Sequence, residues 1–248
     1  MDAEYARKYR RLYQQHWWWR AREALIVGQL RRCFPRRPVG PVLDVGCGDA
    51  LSFGALAEFG EVEGVEIDGT VIDASGPHAS RIHVGPFDES FQPSQRYALI
   101  TMLDVLEHLS APRQALQHAL GLLQDTGIIL ITVPAFLHLW TSHDELNHHQ
   151  TRYTRRTFDE LAREAGLEIL RSKYFFHWLY AAKLAVRVKE RLLKKEPADV
   201  DVPRPAWNRL LYGICRAEQR TIGWAPLPFG SSLLAVGRPK SGTGTERH

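Results

Sequence analysis

A tight glycine turn between an apolar strand and a helix is the feature that most constrains the fold of this chain. Residues 42–50 read VLDVGCGDA, so a short strand is followed directly by Gly46 and Gly48. Glycine adopts backbone conformations closed to other residues, and its missing side chain lets a ligand approach the main chain. The pattern is typical of a nucleotide site at the carboxyl end of the first strand of an α/β sheet.

The rest of the chain supports an α/β fold. From Pro41 onward, β-rich segments alternate with helical ones, which predicts a doubly wound, mostly parallel sheet of seven strands with a Rossmann-like arrangement. The last strand is expected to be antiparallel. We predict strands at 42–45, 62–67, 81–84, 97–103, 128–133, 167–176 and 231–236, helices at 51–59, 112–124 and 155–165, and a turn at 125–127.

We expect a single domain with appendages, because 44% hydrophobic and 24% charged residues are the composition of an ordinary globular protein. Residues 2–33 read as one helix. The predicted parts are an N-terminal helical lid (1–40), a cofactor-binding core (41–173), a helical substrate insertion (174–230), the final strand (231–238) and a disordered tail (239–248).

The cysteines and the N-terminus predict a cytoplasmic protein. Cys33, Cys47 and Cys215 form no C-x-x-C pair, so neither a disulfide framework nor a zinc cluster is indicated. The N-terminus lacks the apolar segment of a signal peptide, and no run of about 18 apolar residues follows.

The net charge of +4 leaves two interpretations open. Basic residues concentrate in the first 37 residues and in 183–195. These segments either face an anionic surface or substrate, or they are solvated helices.

Acidic residues around the turn indicate a cationic ligand. Glu66 lies 20 residues after Gly46, where a carboxylate can accept both hydroxyls of a ribose. A dinucleotide fingerprint requires glycine at position 51, which is Leu51, and Asp49 would repel a pyrophosphate. Together with Asp44, these features disfavour a nicotinamide-dependent oxidoreductase and favour S-adenosylmethionine, which carries an ammonium and a sulfonium.

Three segments resemble class I methyltransferases. Residues 44–50 are similar to motif I, D-x-G-x-G-x-G, with Ala50 at the last glycine. Residues 99–108, LITMLDVLEH, resemble the V-L-E-H segment of the family that includes ubiquinone-biosynthesis O-methyltransferases, and 120–134 resembles the element that follows. The resemblance covers roughly residues 40–135. It implies a type 11 or type 23 methyltransferase with S-adenosylmethionine as donor and S-adenosylhomocysteine as product.

The same resemblance implies a set of donor-binding residues. Glu66 would bind the ribose, Ile67 and Phe87 would flank the adenine, and Met102 and Leu103 would lie along the methionine chain. The full set is Asp44, Gly46, Cys47, Gly48, Glu66, Ile67, Phe87, Met102 and Leu103.

A polar segment is expected on the acceptor side. Residues 139–153, LWTSHDELNHHQTRY, follow the predicted strand at 128–133 on its carboxyl side, where α/β folds bind ligands. They resemble a stretch of a methyltransferase subgroup that also carries an N-terminal H-W-W and arginine signature, matched here by residues 16–22. The resemblance implies a lid in which tryptophans exclude water and Arg20 or Arg22 contacts a carboxylate. The substrate-binding candidates are Trp17, Trp18, Arg22, Asp144, Arg152 and Tyr153.

Histidines are the candidate general bases, because an imidazole with a pKa near neutrality can remove a hydroxyl proton. His148 ranks first, followed by His143 and His108, with Asp144 orienting one of them. The structural alternative is that the loop residues His143, Asp144, Arg152 and Tyr153 form a hydrogen-bonded network and His108 caps its helix. The histidine and acid cluster could also be read as a metal site, but no H-x-x-x-H pair lies on a convincing helix, so no metal is expected.

A basic amphipathic helix is predicted between the last two strands. Ala181, Leu184, Ala185, Val188 and Leu192 share one face, and Lys183, Arg187 and Lys194 lie opposite with Glu190. We favour a helix whose apolar face covers the core of the domain. The alternative is peripheral contact of residues 175–195 with the inner face of a membrane.

The sequence therefore favours methyl transfer, mainly to oxygen, on a small-molecule or lipid-linked acceptor. No nucleic-acid partner is expected, because the fourth strand lacks an N-P-P-Y type of segment. A nucleic-acid methyltransferase and a noncatalytic adenosylmethionine-binding module remain alternatives.

Overall fold

Seven strands and eight α-helices lie in the part of the chain that the computed structural model describes, residues 3–193, 200–223 and 225–240. The strands are β1 (Val42–Val45), β2 (Val62–Glu66), β3 (Ile82–Val84), β4 (Tyr97–Leu103), β5 (Leu123–Pro134), β6 (Leu167–Phe175) and β7 (Ser232–Pro239). The helices are α1 (Ala3–Gln15), α2 (Trp17–Cys33), α3 (Phe53–Leu56), α4 (Pro112–Leu122), α5 (Ser142–Leu146), α6 (Arg155–Ala165), α7 (His177–Leu193) and α8 (Pro205–Thr221).

The strand order of the sheet is β3-β2-β1-β4-β5-β7-β6, and β7 pairs antiparallel with both of its neighbours. The prediction of a seven-stranded, mostly parallel sheet with an antiparallel final strand is therefore confirmed. By its contacts the chain divides into two compact units. Unit 1 comprises Met1–Pro86 and Pro197–Pro226, and unit 2 comprises Phe87–Glu196 and Leu227–His248.

Unit 1 contains β1, β2 and β3, which run parallel, with Val42 opposite Val62 and Gly64 opposite Ile82. All four residues of β1 are buried, as expected of a strand covered on both faces. Helix α8 packs against α2 in this unit.

The N-terminal segment forms two helices, α1 and α2, where one was predicted. The break lies at His16, which is extended and accepts a hydrogen bond from the Trp18 backbone N–H through Nδ1. Asn208 of α8 accepts from the Trp17 N–H at 2.8 Å and donates to the Gln15 carbonyl at 2.8 Å. A side chain some 190 positions away thus satisfies the backbone groups that the break exposes.

Unit 2 contains β4 to β7 and shows how glycines serve different purposes. Helix α6 begins after the predicted N-cap Thr154 and ends at Gly166, whose φ of 81° closes the helix as predicted. The predicted turn at 125–127 is wrong, because β5 already begins at Leu123. A Cβ at Gly127 would lie 2.8 Å from the Tyr97 carbonyl oxygen, so this glycine permits close approach of β4 at an irregular point of the pairing.

Two further boundaries differ from the prediction. The helix expected at 51–59 is the four-residue α3. The chain stays in turns through residue 52, and Ala50 among them has a φ of 56°, which is outside the helical region. Helix α4 ends at Leu122 because β5 starts at the next residue.

The prediction that the apolar face of α7 covers the core is wrong, as far as the side chains up to Glu190 show. Leu184 and Val188 are 41% and 50% exposed, while Lys183, Arg187 and Glu190 are half-buried. The side chain of Leu192, and Lys194, lie outside the described part. Glu190 explains part of the reversal, because its carboxylate accepts hydrogen bonds from the hydroxyl and backbone N–H of Ser142.

The predicted disordered tail lies outside the described residues from Ser241 onward. Among the described residues, no helix combines the length and apolarity needed to cross a membrane.

Candidate active site

The glycine turn of unit 1 follows the end of β1, and two of its residues have left-handed backbone conformations. Gly46 has a φ of 70° and Gly48 a φ of 54°, and the N–H groups of Gly46 and Cys47 both donate to the Val65 carbonyl of β2. A Cβ placed at Gly48 would meet no heavy atom within 4 Å. The main chain at Gly48 therefore borders open space, which is the property that a ligand lying against the backbone requires.

Glu66 ends β2 directly beside this turn. Its Oε2 accepts from the Gly48 N–H at 2.9 Å, and its Oε1 accepts from the Asp68 N–H at 3.0 Å. Two backbone donors thus fix the carboxylate, and each oxygen keeps a lone pair. The carboxylate predicted to bind the ribose therefore keeps acceptor capacity for two hydroxyls, and its contact with a ribose stays a prediction. The next side chain, Ile67, is apolar and 74% exposed, as a surface that packs against an adenine would be.

Cys47 packs into a notch formed by Gly64 of β2. A Cβ at Gly64 would collide with the Cys47 sulfur and would lie 3.0 Å from the Phe53 ring, so only glycine leaves room for the thiol. Burial raises the pKa of Cys47, and the carboxylates of Asp44 and Glu66 add to the shift. The thiol is therefore neutral, and it serves as a wall of the turn. The sequence analysis missed Gly64, whose only signal was a glycine in the interior of a strand.

Acidic residues flank the turn, as predicted for a cationic ligand. Asp44 is buried and accepts a hydrogen bond from the Ser52 hydroxyl. Asp49 pairs with Arg10 of α1 and also accepts from the Asp73 N–H at 2.9 Å. The arginine links α1 to the glycine turn, and the sequence analysis did not single it out.

The helices α1 and α2 hold the residues of the predicted lid. Trp17 and Arg22 are buried, Trp18 is half-buried, and the Arg22 guanidinium lies 5.5 Å from the Trp18 ring centroid. The Tyr13 hydroxyl donates to Glu23 at 2.8 Å. Burial raises the pKa of Tyr13, and the charges of Glu23 and Asp44 contribute, so this hydroxyl stays protonated. The lid function remains a prediction.

The remaining donor-side candidates belong to unit 2. Met102 is fully buried in β4, and Leu103 at its end is half-buried. Phe87 is half-buried and meets His118 edge-on, with 4.9 Å between ring centroids. Their contacts with a donor stay predictions.

A buried ion-pair cluster lies at the start of the acceptor-side segment. The Arg152 guanidinium donates to both oxygens of Asp144, through Nε at 2.8 Å and Nη2 at 2.8 Å. The Thr141 N–H adds a third hydrogen bond to this carboxylate, and His149 adds a fourth through Nδ1 at 2.8 Å. Burial works to raise the pKa of Asp144, but the hydrogen bonds from His149 and Arg152 outweigh it and hold that pKa well below its usual range.

The first two candidate bases, His148 and His143, stand apart from this cluster. The structure shows no hydrogen bond between their side chains and its residues. His148 is exposed and has a φ of 55°, and His143 is exposed on α5. The neighbouring His149, which the sequence analysis did not choose, is the histidine that Asp144 orients. Consecutive histidines carry no local signal that distinguishes them. The hydrogen-bonded network predicted as the structural alternative fits Asp144 and Arg152.

A second group of side chains forms where β4 ends. The chain turns at Asp104, which has a φ of 59° and accepts from the Thr132 hydroxyl at 2.9 Å. Glu107 and His108 follow, and one ligand atom from each of Glu107, His108 and His149 lies within 4.8 Å of the others. Tyr153 is buried nearby, and its burial, together with the charge of Glu107, raises its pKa to about 12.

Lys183 of α7 is a further residue, which the sequence placed only on the helix face opposite the apolar one. It is half-buried, and burial lowers its pKa to about 8, with an added contribution from the positive charge of Arg152. A lysine with such a pKa exchanges its proton near neutrality, and Asp144 and Asp104 act in the opposite direction.

Comparison with known proteins adds a family and a fold. A family model described as a methyltransferase domain matches residues 18–172. The ubiquinone biosynthesis O-methyltransferase of Coxiella burnetii is 31% identical over 93 residues, which cover 35% of this chain and 40% of that enzyme. The match thus spans less than half the length of this curated relative.

Solved structures share the fold at low sequence identity. A chain of the Haloferax volcanii complex between the Trm112 methyltransferase activator and a methyltransferase superposes with a TM-score of 0.59 and 17% identity, covering 99% of this chain and 96% of that chain. A SAM-dependent methyltransferase from Archaeoglobus fulgidus gives a TM-score of 0.53 and 16% identity, with 87% and 93% covered.

Proposed function

The chain belongs to the class I S-adenosylmethionine-dependent methyltransferases, and we propose that it transfers the methyl group to a hydroxyl oxygen of a small-molecule or lipid-linked acceptor. The family model matches more than half of the 248 residues. The observation that carries the donor side of the proposal is Glu66, a carboxylate held by two backbone N–H groups beside an open glycine turn.

The residues of unit 1 fit the donor in shape and in charge. Glu66 would hold the ribose hydroxyls, the backbone at Gly48 would border the methionine part, and exposed Ile67 would cover one face of the adenine. When bound, the donor supplies an activated methyl carbon, whose bond to sulfur breaks with the electron pair remaining on sulfur as the acceptor oxygen bonds to carbon. The acidic groups of the turn favour the cationic donor over the neutral product.

The chain must then orient the acceptor and take its proton. Alignment of two reactants supplies a large part of the acceleration in such a displacement. We retain His148 and His143 as the candidate bases, because both are exposed and follow the carboxyl end of β5. Nε2 or Nδ1 of either ring can accept the hydroxyl proton. The name of the Coxiella burnetii relative, an O-methyltransferase, supports oxygen as the methylated atom.

The test is methyl transfer from labelled S-adenosylmethionine to a panel of acceptors. We expect adenosylhomocysteine to form with phenols or hydroxylated lipids, and not with a primary amine or single-stranded RNA. Methylation confined to the amine or to the RNA would overturn the choice of oxygen. Saturable binding of the donor without turnover on any acceptor class would instead favour a noncatalytic binding module.

A lipid-linked acceptor agrees with the exposed face of α7. Leu184 and Val188 lie about one turn apart on this face and are 41% and 50% exposed, and Lys189 is exposed next to Val188. Apolar side chains next to a cation are the composition of a helix that lies on an anionic membrane. We accordingly propose a cytoplasmic enzyme that contacts the inner face of a membrane through the exposed side chains within residues 175–195. Phe175 and Phe176 are buried and take no part in this contact.

This proposal predicts that the chain binds vesicles of phosphatidylglycerol and phosphatidylcholine more tightly than vesicles of phosphatidylcholine alone. Val188→Asp is expected to weaken the binding about tenfold, because inserting a valine contributes roughly 1 to 2 kcal/mol. Leu170→Asp is the matched control, since Leu170 is 49% exposed on β6, away from this helix. Equal binding of the two variants and the wild type in a sedimentation assay would contradict the proposal.

A further inference from the structure

Three side chains of unit 2 have the donor set of a metal site. Glu107 offers a carboxylate oxygen, His108 and His149 each offer a ring nitrogen, and these atoms lie within 4.8 Å of one another. We propose that Glu107, His108 and His149 bind a divalent first-row transition-metal ion. Two histidines and one carboxylate are a ligand set that iron(II), cobalt(II) and zinc(II) accept, with coordination positions left open.

The spacing is close to that of a formed site. Bonds of about 2.0 to 2.2 Å place the ligand atoms of one ion roughly 3 to 4 Å apart. The rings of His108 and His149 are 4.7 Å apart between centroids and nearly perpendicular, at 80°. Small rotations of the side chains therefore suffice to bring all three ligand atoms onto one ion.

The orientation of His149 is independent support. Its Nδ1 hydrogen bonds to Asp144 at 2.8 Å, which leaves Nε2 as the atom available to an ion. Asp144 is in turn fixed by two hydrogen bonds from Arg152. A carboxylate behind a histidine, itself held by further hydrogen bonds, is how proteins orient and strengthen metal-binding imidazoles.

The backbone holds the two segments together. The Gln150 N–H donates to the Glu107 carbonyl at 2.7 Å, and the Gln150 side-chain amide donates to the His108 carbonyl at 2.8 Å. The residue after His149 is thereby tied to both other ligands. Glu107 is fully buried, and a cation beside a buried carboxylate offsets the cost of removing its charge from water.

The position suggests what the ion does. The cluster follows the end of β4, on the edge of the sheet where α/β proteins bind ligands. Three protein ligands leave positions for one or two oxygen atoms of an acceptor, and a metal ion lowers the pKa of a hydroxyl that it binds. This role rests on the proposed function and narrows the acceptor to a molecule with two oxygen atoms close enough to bind the same ion.

The experiment is a titration of the chelator-treated full chain with cobalt(II), followed by its visible absorption, with zinc(II) as competitor. We expect one ion per chain, and we expect His108→Ala and His149→Ala to weaken the binding by at least about tenfold, since losing even an outer partner of a metal ligand costs about tenfold to 100-fold. The matched control is His138→Ala, which removes an exposed histidine of the same unit outside the cluster. Circular dichroism verifies that each variant is folded, and exposed His108 provides a surface substitution in case His149→Ala unfolds.

Absence of cobalt binding by the folded wild type, or equal binding by all three variants, would overturn the metal site. Adenosylhomocysteine binding is measured on the same samples. If it persists while cobalt does not bind, the metal inference alone is wrong. If the chain binds cobalt as expected but no adenosyl ligand, the metal site stands and the proposed function is wrong.

Discussion

Glu66→Gln is expected to weaken the binding of adenosylhomocysteine by about 100-fold. The two carboxylate oxygens accept from the Gly48 and Asp68 N–H groups, and a glutamine places an NH2 donor against one of them. The amide then lacks the lone pair and the charge that a second ribose hydroxyl requires. Hydrogen bonds to a charged group contribute about 1.5 to 3 kcal/mol each, so losing one and weakening the other gives the expected factor.

Isothermal titration calorimetry measures this effect, with Glu63→Gln as the control. Glu63 is also half-buried and lies on the same strand, but near its beginning and not at the end where Glu66 meets the glycine turn. If the Glu66 variant has unchanged circular dichroism and binds adenosylhomocysteine within twofold of the wild-type affinity, Glu66 does not bind the donor. Equal weakening in both variants would point to a general effect on β2.

Asp144→Asn is expected to lower the free energy of unfolding by about 3 to 5 kcal/mol. The carboxylate and the Arg152 side chain are 0% and 1% exposed, so the substitution leaves a buried guanidinium without its counter-charge. Urea denaturation followed by circular dichroism measures the change. The control is Glu160→Gln, which breaks the exposed Arg156–Glu160 pair on α6 and is expected to change the stability by about 0.5 kcal/mol or less.

The same substitution predicts a dependence on pH. Because the pKa of Asp144 is depressed in the folded state, its contribution is fully present above the pKa of an unfolded aspartate, about 3.9, and is lost as the pH falls. The stability difference between wild type and Asp144→Asn should therefore shrink below about pH 4. A difference that stays unchanged in acid would show that the ion pair is not its source.

Local pattern accounts for what was predicted correctly. The strand before Gly46, the helix between Thr154 and Gly166, and the place of Glu66 at the end of β2 are specified by residues adjacent in sequence. Their signals are backbone preferences, hydrogen-bonding caps and a fixed spacing along one β-α-β segment. These signals act over a few residues, so they survive in any tertiary context that keeps the segment.

Contacts between distant segments decided what the sequence analysis missed. The break at His16 depends on Asn208, and the room for Cys47 depends on Gly64 of the neighbouring strand. The apolar face of α7 is exposed, whereas the apolar face of a helix usually packs against the core. The hydrogen bond from Ser142 holds Glu190 on the opposite, half-buried face.

The sequence by itself therefore determined the class of fold, the glycine turn and the carboxylate that faces it, because each is encoded within one continuous segment. Only the tertiary structure decided that His149 and not His148 is held by Asp144, and that it meets Glu107 and His108. The physical reason is that a hydrogen bond or a shared ion depends on side-chain direction and on distances across the fold. Two adjacent histidines point in different directions, and the order of residues along the chain does not record which one faces the cluster.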